Sequence, residues 1–335
     1  MEHRAKHCRA LPGTAGHRPC PCTVGRVRAV QRITGSCLIR SADGSVLLTR
    51  ASANSDLAGW WSLPGGGVEH GEHPRDAAVR ETAEETGLAA QVEAVHDVLS
   101  DVLDLPHHGE TVHTVRVVYR AVVEGPVVPR SEAGGTIDAA EFVAADRIAA
   151  LPLMPFTARV LGLEPRPVVA TPPAHRLPAA VAAPPDRDAP DGVPPVQRAG
   201  AYAVCLRERP VRSVLLARFV GNGRWTLPGG GIDHGEDPRD AVRRETYEEA
   251  GLPLTDPVLL SVDSVRFTGA APDGRREDFH AVRVVYTGTV PGDVPPRVTE
   301  VDGSTDAAAW FPLDELDRHR VSPTALAALA ATALT

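Results

Sequence analysis

The feature that most constrains this chain is a dense pattern written twice. Residues 66–88 read GGVEHGEHPRDAAVRETAEETGL and residues 230–252 read GGIDHGEDPRDAVRRETYEEAGL. In each, a glycine (Gly66, Gly230) is followed after five residues by a glutamate (Glu72, Glu236), and after seven more by Arg-Glu-x-x-Glu-Glu-x-Gly-Leu. At roughly one chance in 20 per fixed position, such a pattern arises by accident on the order of once in 10^9 starts, and two accidents in one chain are not credible. The surroundings repeat as well. Val30-Gln31-Arg32 answers Val196-Gln197-Arg198, and Trp61-Ser62-Leu63-Pro64-Gly65 answers Trp225-Thr226-Leu227-Pro228-Gly229. Further on, His113-Thr114-Val115-Arg116 answers His280-Ala281-Val282-Arg283. Only the loops between these blocks change length, so the chain reads as two copies of one domain.

Each pattern is suited to a helix of about three turns. Pro74 and Pro238 stand where a first turn accepts proline, Asp237 is a good N-cap, and Gly87 and Gly251 are placed as C-terminal stops. At about 100° per residue, Glu81, Glu84 and Glu85 share an arc of roughly 100°, as do Glu245, Glu248 and Glu249. Three carboxylates therefore crowd one face. Like charges at these spacings repel by a few tenths of a kcal/mol per pair, and no lysine lies nearby to offset them. A divalent cation would, and an oxygen-only ligand set suits Mg²⁺ or Mn²⁺. The alternative is a solvated acidic face, which any Glu-rich helix can carry.

The doubled pattern resembles the signature box of the Nudix hydrolases. The resemblance is carried by Gly66, Glu72, Arg80, Glu81, Glu84, Glu85, Gly87 and Leu88, and again by Gly230, Glu236, Arg244, Glu245, Glu248, Glu249, Gly251 and Leu252. It departs at one position, where Thr82 and Thr246 replace the bulky aliphatic residue that the family places after Arg-Glu. The resemblance implies metal ligation by Glu81, Glu84, Glu85 and the Gly65 carbonyl, and by Glu245, Glu248, Glu249 and the Gly229 carbonyl. It implies that Arg80 and Arg244 orient these carboxylates. It also implies hydrolysis of a nucleoside diphosphate linked to another moiety, by a metal-activated water attacking phosphorus in line. The family takes its general base either from the box, here Glu81 and Glu245, or from a later loop. Glu132 and Glu300 are the later-loop candidates, with Glu110 and Glu277 as runners-up.

Composition narrows the field. A net charge of −8, a pI near 5.9 and 4% aromatic residues argue against a general binder of nucleic acid or anionic membrane. The one lysine, Lys6, lies outside both repeats, which removes P-loop and Schiff-base lysine chemistry. No apolar run reaches signal-peptide or membrane-spanning length, and the expectation is a cytoplasmic protein. Cys37 and Cys205 sit in apolar, strand-like runs and read as buried thiols. Cys8, Cys20 and Cys22, among His3, His7 and His17, lack the paired spacing of a zinc knuckle.

A chain of 335 residues has room for two domains, each with its own core. Residues 1–27 read as a disordered tail, 28–165 as the first Nudix domain, 166–194 as a linker and 195–335 as the second Nudix domain. The linker is rich in Pro and Ala, could span about 100 Å if polyproline-like, and would let the halves act apart. In the first half the pattern predicts a hairpin of strands at 36–40 and 45–49 around a turn at Asp43-Gly44, then β-rich runs at 91–99 and 111–123. A strand at 140–143 and a helix over 146–163 close it. Strands flanking one glutamate-bearing helix indicate an α/β class, two α/β/α sandwiches with mixed sheets.

Other residues carry two readings each. His113 and His280 are core or rim histidines, or contacts to a substrate's base or phosphate. Arg116 and Arg283 are solvated, or meet a diphosphate. Trp61 and Trp225 anchor the core, or stack on a base. A ligand-sensing module without hydrolysis is the rival from another class, and the complete glutamate sets in both boxes favour the enzyme. One catalytic half beside one sensing half also fits. Nucleoside triphosphates, ADP-ribose and dinucleoside polyphosphates stay open as substrates, and the expected partner is a small nucleotide, not nucleic acid or membrane.

Overall fold

The computed structural model describes residues 27–124, 135–174, 192–270, 274–301, 303–318 and 320–332. The first half contains β1 (Arg28–Ile39), β2 (Val46–Ala51), β3 (Trp61–Ser62), β4 (Gly65–Gly67), α1 (Pro74–Thr86), β5 (Ala90–Leu105), β6 (Glu110–Val123), β7 (Ile137–Val143), α2 (Ala145–Ile148) and α3 (Pro155–Val160). The second repeats the order with β8 (Pro195–Arg207), β9 (Ser213–Phe219), β10 (Trp225–Thr226), β11 (Gly229–Gly231), α4 (Pro238–Ala250), β12 (Thr255–Ala270), β13 (Arg276–Thr289), β14 (Thr305–Pro312) and α5 (Pro323–Thr332). No helix among the described residues is long and apolar enough to cross a membrane.

The sheets are mixed. β1 runs parallel to β6 and antiparallel to β4, and β5 closes antiparallel on β6. β2, β3 and β7 form a smaller sheet in the first half, whereas in the second half β8 also pairs with β9 and joins the two layers. The box helix lies on the first strand of each half, α1 on β1 and α4 on β8. α1 buries Pro74, Ala77, Ala78, Thr82 and Thr86, and a side chain at Gly35 of β1 would collide with the Pro74 carbonyl. Thr82 and Thr246 are fully buried. Each hydroxyl donates to the carbonyl one turn back, Ala78 and Val242 respectively at 2.7 Å, so the polar group is satisfied where the family has an aliphatic. Cys37 and Cys205 are buried, while Cys8, Cys20 and Cys22 lie outside the described residues.

Two expectations are corrected. The helix over 146–163 is two short helices, because Pro152 cannot continue the first and Pro155 opens the second as its first residue. Between them, Trp61 N–H donates to the Pro152 carbonyl and Met154 N–H to the Trp61 carbonyl, both at 2.8 Å. The linker's first residues are also not free. Arg166 donates to the Ala149 carbonyl at 3.1 Å, Thr171 N–H to Asp56 at 2.9 Å and Ala174 N–H to Ala53 at 2.8 Å. A strap from Pro165 to Ala174 thus lies along the first half.

The two halves pack against each other. Their packed apolar residues form one cluster that includes Ile33 and Val68 from the first half and Ala199 and Ile232 from the second. Across this contact each half grips the other's box loop. Gln31 donates to the Ile232 carbonyl at 2.9 Å, and Gln197 donates to the Val68 carbonyl at 3.0 Å. Each glutamine also meets the ring of its own half's buried histidine, His113 at 3.4 Å and His280 at 3.0 Å. Those histidines pack edge-on against box histidines of the opposite half: His113 on His234 and His280 on His70. Asp278 adds a 3.2 Å contact to His70, and Ser100 donates to the Glu236 carbonyl at 3.0 Å. Arg239 reaches back to Asp97 at 2.7 Å.

His280 gives this contact a pH dependence. Burial, helped by the nearby charges of His70, Arg266 and His73, pushes its pKa down to about 4, against a small opposing pull from Asp278. A histidine held below its ordinary value binds fewer protons folded than unfolded. Its stabilising contribution is therefore complete above about pH 6.5 and is lost as pH falls towards 4. Buried Glu249, whose pKa is pushed up, works in the opposite sense, so the comparison to make is with His280→Gln. Between pH 7 and pH 5 wild type should lose about 2 kcal/mol more unfolding free energy than the variant. Equal slopes in denaturant titrations at the two pH values would refute this.

Candidate active site

The site is assembled where β4 meets α1, and again where β11 meets α4. Gly65 (φ 147°) and Gly229 (φ 148°) hold a conformation that side chains rarely adopt. This aims their N–H groups at Glu85 (3.0 Å) and Glu249 (2.9 Å). A side chain on Gly66 would strike the Glu81 carboxylate, and one on Gly230 would strike Glu245. The glycines therefore let the backbone lie directly on the carboxylate row.

Arginine, not lysine, supplies the counter-charge for this row, which corrects the expectation of an unbalanced acidic face. Arg80 binds Glu72 through two nitrogens at 2.9 and 3.0 Å, Glu81 at 2.8 Å and Glu84 at 3.4 Å, and it also donates to the Gly67 carbonyl at 3.0 Å. Arg244 repeats the arrangement, with Glu236 at 2.8 and 2.9 Å, Glu245 at 2.8 Å, Glu248 at 3.0 Å and the Gly231 carbonyl at 2.9 Å. One guanidinium cannot neutralise three carboxylates. Burial pushes the Glu81 and Glu245 pKa values up, the paired arginine pulls them down, and neighbouring carboxylates leave them raised. Glu249 is buried and pushed up to about 7 by burial, although Thr305 and Gly229 N–H both donate to it. Such oxygen-only donors, partly buried and short of positive charge, fit a hard divalent cation.

A later loop completes the second site. Thr299 and Glu300 N–H groups both donate to the Glu248 carbonyl, at 2.8 and 3.0 Å, and Arg297 N–H donates to Ala250 at 2.9 Å. These bonds satisfy the orphan carbonyls at the end of α4. They bring Glu300 close enough to raise the pKa values of Glu245 and Glu249. Its counterpart Glu132 lies outside the described residues. Glu110 is tied to Arg28 and Glu277 is buried beside Arg275, both at the starts of strands.

The other candidates separate. Arg283 pairs with Asp263 at 2.8 Å and lines a cleft of about 400 Å³ with Tyr202, Arg224, Glu249 and Phe267. Arg116 is not solvated: Asp101 holds it at 2.8 and 3.0 Å over the face of Phe156. Trp61 is buried in the core, and Trp225 packs edge-on against Phe311. His113 and His280 are both fully buried at the contact between halves. In the first half a cleft of about 570 Å³ lies between β5, the start of α3 and the strap residues Pro165–Ala170. Sequence reasoning missed Gln31, Gln197 and Thr305. The two glutamines did leave a signal, since each stands in the repeated Val-Gln-Arg block.

The NUDIX domain model matches residues 30–162 and again residues 196–331. The chain belongs to the Nudix family. Nucleoside triphosphatase NudI of Escherichia coli is 36% identical over 97 residues, 28% of this chain and 62% of its own length. The NudI protein of Shigella flexneri matches to the same extent. The chain thus spans less than two thirds of these curated relatives. Among solved structures, a MutT NUDIX hydrolase from Burkholderia pseudomallei is 32% identical, covers 41% of this chain and 98% of its own, and has a TM-score of 0.33. A MutT protein from Methanosarcina mazei is 27% identical, covers 39% of this chain and 89% of its own, and has a TM-score of 0.33.

Proposed function

We propose that both Nudix halves hydrolyse the diphosphate linkage of a nucleoside diphosphate joined to another moiety, in a Mg²⁺- or Mn²⁺-dependent reaction in the cytoplasm. The observation that carries this reading is the doubled row of carboxylates, each braced by one arginine and lying under a glycine backbone. Glu81, Glu84, Glu85 and the Gly65 carbonyl would hold the metal in the first site, and Glu245, Glu248, Glu249 and the Gly229 carbonyl in the second. A bound divalent ion would screen the diphosphate and lower the pKa of a water. Arg80 and Arg244 keep the carboxylates in one orientation. In the second half Glu300 would take the proton of the attacking water. Arg283 and Arg224 are the cleft's cations for phosphate oxygens, and Tyr202 and Phe267 offer aromatic faces to a base. Glu132 is the corresponding base in the first half.

The nucleoside triphosphatase NudI makes nucleoside triphosphates the first substrates to assay, with ADP-ribose and dinucleoside polyphosphates beside them. Turnover should appear with Mg²⁺ or Mn²⁺ and vanish with a chelator. Full-rate turnover by the stripped protein would remove the basis of this reading. The mixed arrangement, one catalytic and one sensing half, is tested by the paired variants discussed below.

A further inference from the structure

We propose that Asp56, His107 and His108 form a separate metal site in the first half, selective for a borderline divalent transition ion such as Ni²⁺, Co²⁺ or Zn²⁺ over Mg²⁺. The turn between β5 and β6 carries both histidines, and the loop between β2 and β3 brings Asp56 to them. His107 Nε2 lies 2.6 Å from Asp56 Oδ1, and His108 Nε2 lies 3.2 Å from the same oxygen. The two rings are tilted by 49° with centroids 4.4 Å apart. One ligand atom from each residue falls within 4.8 Å of the others, the one such grouping of His, Cys, Asp or Glu among the described residues. An ion about 2.0–2.2 Å from each atom is reached by small side-chain rotations.

Two observations favour a ligand over a merely hydrogen-bonded turn. The fold does not require the cluster, since the second repeat carries Ala-Pro-Asp-Gly-Arg at residues 271–275, with no histidine. The cluster also sits where three segments meet: the backbone carbonyl of Asp56 accepts from Thr171 of the strap. An ion here would fasten the loop and the turn together beside the point where the chain leaves for the linker. Two imidazoles with one carboxylate are the donors of nickel, cobalt and zinc, and leave further positions for water. Mg²⁺ prefers oxygen alone.

The site stands or falls independently of the hydrolase reading. Ni²⁺ is titrated calorimetrically into full-length, chelator-stripped protein in which Cys8, Cys20 and Cys22 are serine, so that thiolates contribute nothing. The parent should bind one more equivalent than the His107→Ala/His108→Ala variant, or bind it about 100-fold more tightly. Asp56→Asn should weaken the same equivalent, whereas Glu84→Gln/Glu248→Gln should leave it in place. The two histidines are exposed, and circular dichroism is used to check that each variant folds. A folded double-histidine variant with the parent's stoichiometry and affinity overturns the site. So does loss of the equivalent on changing the box glutamates alone.

Discussion

Glu84→Gln and Glu248→Gln should each silence one half, and only the double variant should be inert on every substrate. The substitution keeps the shape of the side chain and removes its charge. A ligand lost from a metal that screens a diphosphate should cost about 10² or more in rate. Both residues are partly open to solvent, at 56% and 36% exposure of the side chain, and their arginine contacts are 3.4 and 3.0 Å. Surface pairs of this kind contribute about 0–1 kcal/mol, so melting temperatures should barely move and lost activity will report chemistry. The surroundings of the two boxes differ: Arg283 lines the second half's cleft with Glu249, Arg224 and Phe267, whereas its counterpart Arg116 is held by Asp101 over Phe156. The two single variants should therefore lose activity on different members of a substrate panel. If Glu248→Gln alone abolishes all turnover, the first half is a sensing module. A double variant that remains active would place catalysis outside both boxes.

What could be read from the residues follows from how local each determinant is. The box helices were legible because proline, an N-cap and a C-terminal glycine fix both ends within a few positions. The turn at Asp43-Gly44 was legible too, but the hairpin around it was not borne out, since β1 and β2 meet only at the Arg40–Val46 bridge and then enter different sheets. The arginine clamp was legible only through the family resemblance, because a guanidinium that reaches Glu72 from Arg80 crosses seven residues of chain with a turn between them. The burial of Trp61 depends on the segment 152–154 closing over it, and no window around Trp61 contains that information. Helix 146–163 was misread for a related reason. Its apolar content suits either one long helix or a helix, a strand-like link and a second helix, and the pairing of Leu153 with Trp61 decides for the latter. The grip of each half on the other was the least visible feature, since every bond in it joins residues about half a chain apart.

That grip should make each active site depend on the opposite half. Gln197 belongs to the second half, yet its amide holds the Val68 carbonyl of the first box loop. With the second site silenced by Glu248→Gln, Gln197→Ala should slow first-site turnover about tenfold, mainly in kcat. Loss of one hydrogen bond of about 1–1.5 kcal/mol lets the loop carrying Glu72 drift from Arg80. The reciprocal pair is Gln31→Ala in the Glu84→Gln background, read at the second site through Ile232. Simple destabilisation would affect whichever half carries the change, whereas the interlock affects the other half more. Assays at several temperatures well below melting separate the two. Proteolysis within the linker provides a second check: the cut halves should stay together on gel filtration, because their apolar residues form one cluster. Fragments that part freely and keep full activity, or a Gln197→Ala effect confined to the second site, would show that each half builds its site alone.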